Sequence, residues 1–135
     1  MRNFIFNYKD SEGNEREVKM RLTSQDCVEI EKAYKVRLLD YVQDYSITTI
    51  VTLLKYMRSG AGENITQNMA YNFYDELIDA GFTMSDILDK IIYETLVVSG
   101  VISQEDLNNI RAEKEKINNM TVEEKQQMIQ ERKNV

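Results

Sequence analysis

The stretch Gly81–Leu107, "GFTMSDILDKIIYETLVVSGVISQEDL", decides what kind of fold this chain has. Its middle, "IIYETLVVSGVIS", is rich enough in Val, Ile, Tyr and Thr for a buried strand, yet both flanks carry the grammar of helix starts. In "FTMSDI", Thr83 is placed to cap a helix, Asp86 falls at its third position, and Phe82 can staple onto Ile87. In "ISQEDL", Ser103 and Asp106 repeat the device, with Ile102 and Leu107 as the apolar pair. Two such starts bracket one helix that stops at Gly100, so "IIYETLVV" is predicted to be helical. The first half of that helix keeps a polar arc of Ser85, Asp86, Asp89 and Lys90. Its last turns lose the arc, because Tyr93 and Val97 join Ile91, Ile92, Leu96 and Val98 from the other side. A helix apolar all round is packed on several sides, or else part of its surface awaits a partner.

Working outward, the N-terminus reads as a β-hairpin over about residues 3–22. Phe4, Phe6 and Tyr8 alternate in "FIFNY", Val18, Met20 and Leu22 alternate in "EREVKMRL", and "KDSEGN" supplies the turn. From Thr23 the period changes to that of a helix. "TSQD" is a variant capping box, followed by a stripe of Cys27, Ile30, Tyr34, Leu38, Tyr41 and Val42. "QDYS" interrupts it, and a second helix places Ile47, Ile50, Val51, Leu54 and Met57 inward until Gly60. A third, capped by Thr66 and closed by Gly81, turns Met69, Phe73, Leu77 and Ile78 inward and Asn68, Asn72, Asp75 and Asp79 outward. The fold predicted is mainly α: an N-terminal β-hairpin on a bundle of about four to five helices (about residues 24–99), with a polar helical C-terminal tail. The corresponding division is a globular domain over 1–102 and an extension over 103–135.

Composition excludes more than it selects. The chain has 135 residues, 42% hydrophobic and 30% charged, which suits one soluble domain with its own core. No apolar run approaches the roughly 18 residues of a membrane span, and the N-terminus turns polar too soon for a signal peptide. One cysteine and no leader point to a reducing, cytoplasmic setting. A net charge of −6 with interspersed lysines and arginines argues against nucleic acid. "YETLVVSGVISQEDLNNIRAE" has helix-turn-helix form, but Glu105 and Asp106 at the leading end make it a poor phosphate partner.

The chemistry on offer is sparse. There is no histidine and no glycine-rich phosphate loop. Cys27 lies on an inward stripe, where a buried thiol is inert. Asp75 and Asp79 lie four apart on one helical face, a spacing that can hold a divalent ion but far more often marks a solvated surface. No catalytic, cofactor-binding or metal site is predicted, and the chain reads as a non-enzymatic binding protein. Its tyrosines are the residues to watch, since a ring with a polar tip is suited to interfaces. Tyr41, Tyr45, Tyr56, Tyr71 and Tyr74 border the stripes, and Tyr93 and Val97 complete the apolar helix, so these seven form the candidate partner surface.

Two phrases, "LTSQDCVEIEKAYKVRLLDYVQDYSITTIVTLLKYM" and "YDELIDAGFTMSDILDKIIYETLVVSGVIS", with the polar helical tail after them, resemble the tail assembly chaperones of long-tailed phages and prophages of Gram-positive bacteria. The likeness spans roughly Arg21 to Ser103 and is one of pattern, with no chemical motif inside it. It implies a mostly helical, non-enzymatic protein of the host cytoplasm, without cofactors, that binds the tape measure protein and helps recruit tail tube subunits. In such proteins a frameshift often adds a second C-terminal domain, and self-association is possible. The alternatives are a structural subunit retained in a phage or prophage particle, such as a connector or adaptor, and a small acidic regulatory protein.

Overall fold

The alternation at the N-terminus produces the expected hairpin. In the computed structural model, which describes residues 2–120 and 122–133, β1 (Phe4–Lys9) pairs antiparallel with β2 (Glu15–Met20), Phe6 opposite Val18 and Tyr8 opposite Arg16. The molecule is mainly helical, and the described chain divides into two units, Met1–Val101 and Ile102–Val135.

In the first unit the hairpin lays its apolar face on helices. Tyr8, Val18 and Met20 are buried, and Phe82 meets the rings of Phe6 and Tyr8 edge-on at 5.6 and 6.1 Å. Helix α1 (Ser24–Tyr34) begins with the predicted capping box: the Thr23 hydroxyl accepts from the Asp26 N–H, and the Thr23 N–H donates to the Asp26 carboxylate, both at 3.1 Å. It does not continue through Leu38 as its stripe suggested. Lys35 takes a left-handed conformation (φ 56°), which ends the helix, and the chain restarts as α2 (Leu38–Gln43) with Glu31 accepting from the Leu38 N–H. A non-glycine residue there is uncommon and leaves no mark in the hydrophobic pattern.

Helix α3 (Ile47–Gly60), capped by Ser46, is the centre of the unit. Seven of its residues are buried, from Thr49 to Met57. Ile47 is instead half exposed. Helix α4 (Gln67–Asp79) packs beside α3 with Ala70, Phe73, Tyr74 and Leu77 inward. Met69 and Ile78, expected inward, face out at 44% and 39% exposure, because the small Ala70 and the ring of Tyr74 set the buried stripe.

From Met84 to Val98 the decisive stretch is helical throughout, but not uniformly α. Helix α5 (Met84–Ile87), capped by a Thr83–Asp86 box, runs into a π turn (Leu88–Ile92) and then α6 (Tyr93–Val98). The reason lies in the spacing of the buried positions: Ile87, Ile91 and Thr95 form one row and Leu88, Ile92 and Leu96 the next, each step four residues. In a pure α-helix such rows drift about 40° per step. The wider π turn, in which the Tyr93 N–H reaches back to the Leu88 carbonyl, takes up that drift and keeps both rows on one face. The buried Thr95 hydroxyl donates to the Ile91 carbonyl at 2.7 Å. Gly100 closes the helix at φ 79°, with the Val101 N–H reaching the Leu96 carbonyl at 2.9 Å.

The second unit holds α7 (Gln104–Asn118), opened by the Ser103–Asp106 box, and α8 (Val122–Lys133). Among its described side chains only Leu107 is buried. The sequence suggested four or five helices before the tail; six α-helical segments precede it among the described residues, the surplus arising at Lys35 and at the π turn.

Candidate functional site

Among the described residues no three metal-ligating side chains converge, and Asp75 and Asp79 are both exposed on α4. Cys27 is half-buried, and burial, with Asp26 and Glu31 adding to it, pushes its thiol up, away from the reactive thiolate. No helix among the described residues is long and apolar enough to cross a membrane.

One polar cleft of about 230 Å³ lies among Tyr8, Arg16, Val18, Arg58, Phe73 and Glu76. Its cations are already engaged. Arg58 stacks over Phe73 at 4.7 Å and donates to both oxygens of Glu63 at 2.6 and 3.1 Å, while Arg16 pairs with Asp10 at 2.9 Å and faces Glu76 at 3.9 Å. Burial, then Glu76, pushes the Tyr8 phenol up to about 12. This is a knot tying the hairpin to α3 and α4, not a vacant anion site.

What remains is the surface of the segment from α1 to the first residue of α3. Val28, Tyr34, Val36, Leu39, Tyr45 and Ile47 are each 41–50% exposed and lie within twenty residues of one another in sequence. Elsewhere in the first unit the exposed large apolar side chains are Ile5, Met69, Tyr71 and Ile78, spread over β1 and α4. The inward side of the same pair is anchored by Ile30, Leu38, Tyr41 and Val42. The exposed side chains therefore stand on or beside a helical pair whose buried anchors are other residues, with Tyr34 also stacked on Tyr41.

Five of the six tyrosines singled out from sequence fall into two groups. Tyr41 is buried on α2 and stacks with exposed Tyr34 at 4.5 Å. Its hydroxyl lies near Thr49 and Thr52 of α3 without a hydrogen bond of good geometry, and burial pushes it up to about 12. Tyr56, half-buried on α3, feels Glu29 and Tyr34. Tyr45, exposed, acts electrostatically on both buried Tyr74 of α4 and half-buried Tyr93 of α6, which places those three together. Tyr71 stands on the outer face of α4, and no ring or charge interaction among the described residues joins it to either group. Val97 is half-buried on α6. Ile91, Ile92 and Leu96 of the apolar helix are core, whereas Tyr93, Val97 and Val98 are half-buried, so its apolar surplus is only partly covered.

Having placed Tyr34 and Ile47 on inward stripes, sequence reasoning also missed Val28, Val36 and Leu39. The available signal was the wheel of α1–α2 itself: with Ile30, Leu38 and Val42 inward, these three fall outside the stripe. Comparisons with profiles of known protein families, with curated proteins and with solved structures find no match to this chain.

Proposed function

We propose that this chain is a non-enzymatic tail assembly chaperone, which holds an extended apolar helix of a tape measure protein and helps recruit tail tube subunits to it. The observation that carries the reading is the run of exposed apolar side chains, Val28, Tyr34, Val36, Leu39, Tyr45 and Ile47, between α1 and the first residue of α3. Single exposed apolar residues need no explanation, but six of them within twenty residues suit a surface that takes an apolar helix. Tyrosines at its margins supply rigid contact area at small entropic cost. The resemblance over Arg21 to Ser103 supplies the identity of the ligand.

Many weak contacts along one long ligand give tight overall holding, yet allow stepwise displacement by tube subunits. Co-expression with the long coiled-coil protein of the same tail cluster tests this. The long protein is expected to pass from insoluble to soluble, with this chain co-purifying in molar excess. Retention at about 0.5 M salt, where screening shortens charge effects to a few ångströms, is expected of apolar contacts. A long protein that stays insoluble, or this chain found stoichiometrically in purified particles, overturns the reading in favour of a structural subunit.

A further inference from the structure

The hairpin has two edges, and they differ. The Asp10 N–H donates to the Asn14 carbonyl at 2.9 Å across the turn, and this fixes the alternation of the ladder. Backbone groups of Tyr8, Phe6 and Phe4 point to β2, and those of Lys9, Asn7 and Ile5 point away from it. The same parity on β2 turns Glu15, Glu17 and Lys19 outward, and the next residue of that series, Arg21, donates its N–H to the Met57 carbonyl of α3 at 2.8 Å. The outer edge of β2 is thus charged at every outward position and stopped by α3 at its end. The outer edge of β1 has neither protection. Ile5, Asn7 and Lys9 are exposed, their backbone groups make no hydrogen bond among the described residues, and the strand has no proline and a single charge.

Such an edge is a template for another strand, and natural proteins blunt edges they do not use with charge, proline or bulges. We infer that β1 pairs antiparallel with β1 of a second copy, giving a four-stranded sheet across a two-fold axis. A second copy is the occupant favoured by the side chains. An antiparallel pair built on the open groups sets odd residues against odd and even against even. It therefore lays the Phe4, Phe6, Tyr8 row of one copy beside the same row of the other, on the face that the helices cover. Phe4 and Phe6 are only partly buried within one copy, although they lie on that core face. The pairing completes their cover and shields Ile5, 49% exposed on the opposite face. Pairing of β1 with β2 of another copy would run into α3 and the charges guarding that edge. One strand pair buries far less than the roughly 1,200 Å² of a stable interface, so the dimer forms with rising concentration and is not obligate.

Sedimentation equilibrium of the full chain, with residue-resolved amide exchange on the same samples, tests this. The wild type is expected to shift from monomer to dimer as concentration rises from micromolar to millimolar. The amides of Ile5, Asn7 and Lys9 should gain at least tenfold protection over that range, while those of Phe6 and Tyr8 are protected throughout. Asn7→Pro removes one outward N–H without touching the bonds between β1 and β2, and should stay monomeric with unchanged circular dichroism. Ile5→Lys, which keeps every backbone group, should raise the dissociation constant at least tenfold and covers the case in which the proline disturbs the strand. A wild type monomeric at millimolar concentration overturns the inference. So does a dimer in which the three outward amides exchange as fast as in the monomer, which would place the interface elsewhere.

Discussion

Helices α3 and α1 are close in apolar content and opposite in fate. Seven of the fourteen residues of α3 are buried, including Thr49 and Thr52, whereas of the eleven in α1 only Ile30 is. The difference is one of position. Helix α3 is met by β2, α2, α4 and the π turn, so each of its sides finds a partner inside the unit. Helix α1 is joined mainly to α2 and leaves Val28 and Tyr34 to solvent. A side chain of α3 therefore acts through stability, and an exposed side chain of α1–α2 acts through whatever binds it. Mutations that confound those two classes would break the comparison.

The largest effect is expected where α3 ends. A Cβ added at Gly60 would overlap the Arg21 carbonyl oxygen and come within 2.9 Å of the Asp26 carboxylate, part of the cap of α1. Neither neighbour gives way cheaply, since Arg21 is tied to Met57 and Asp26 to Thr23. Gly60→Ala should cost about 3 kcal/mol or more, in the range of severe overpacking. Thermal or urea unfolding reads it directly. A melt close to that of the wild type would mean that β2 and α3 do not meet as closely as described.

Alkaline titration probes the α2–α3 contact. Tyr41 and Tyr8 are both pushed up to about 12, first by burial, with Tyr34 adding at the former and Glu76 at the latter. Below pH 10 the phenols keep their protons in the folded and the unfolded chain alike. Between about 10 and 12 the unfolded chain has released them and the folded chain has not, so stability falls across that window. Tyr41→Phe should flatten the fall and, by removing a hydroxyl without a good partner, should not destabilise the protein at pH 7. A pH profile unchanged in Tyr41→Phe would show that this ring is not the titrating group.

The cap of α1 comes next. Thr23→Ala removes the acceptor for the Asp26 N–H and should cost about 1 kcal/mol, read from the same unfolding curves. This cap was legible in the sequence, as were those at Thr83 and Ser103, because a hydroxyl and a carboxylate three residues apart report a purely local geometry. The hairpin was legible for the same reason. What escaped was set by tertiary context. Lys35 adopts a left-handed turn that its residue type does not announce, and Ala70 rather than Met69 faces α4's neighbours because space, not hydrophobicity, decides there. The π turn left a trace, the strict spacing of four from Ile87 to Leu96, but one that is easily taken for surplus apolar surface. The candidate surface was half legible: Tyr45 stands on it, while Tyr41 and Tyr74 are inside.

The smallest expected effect on stability carries the most weight for function. Val28 and Leu39 are 46% and 47% exposed, and a surface change away from caps and ion pairs shifts stability by no more than about 0.5 kcal/mol. The double variant Val28→Ser, Leu39→Ser should therefore melt with the wild type while failing to keep a tape measure protein soluble on co-expression. If it melts well below the wild type, α1–α2 depends on those side chains for its own packing, and the contrast with α3 disappears. If it melts normally and still solubilises the long protein, the contrast stands but the binding surface lies elsewhere. The tyrosine group of Tyr45, Tyr74 and Tyr93 is then the next surface to substitute, beginning with Tyr45, which is exposed and can be changed without opening the core.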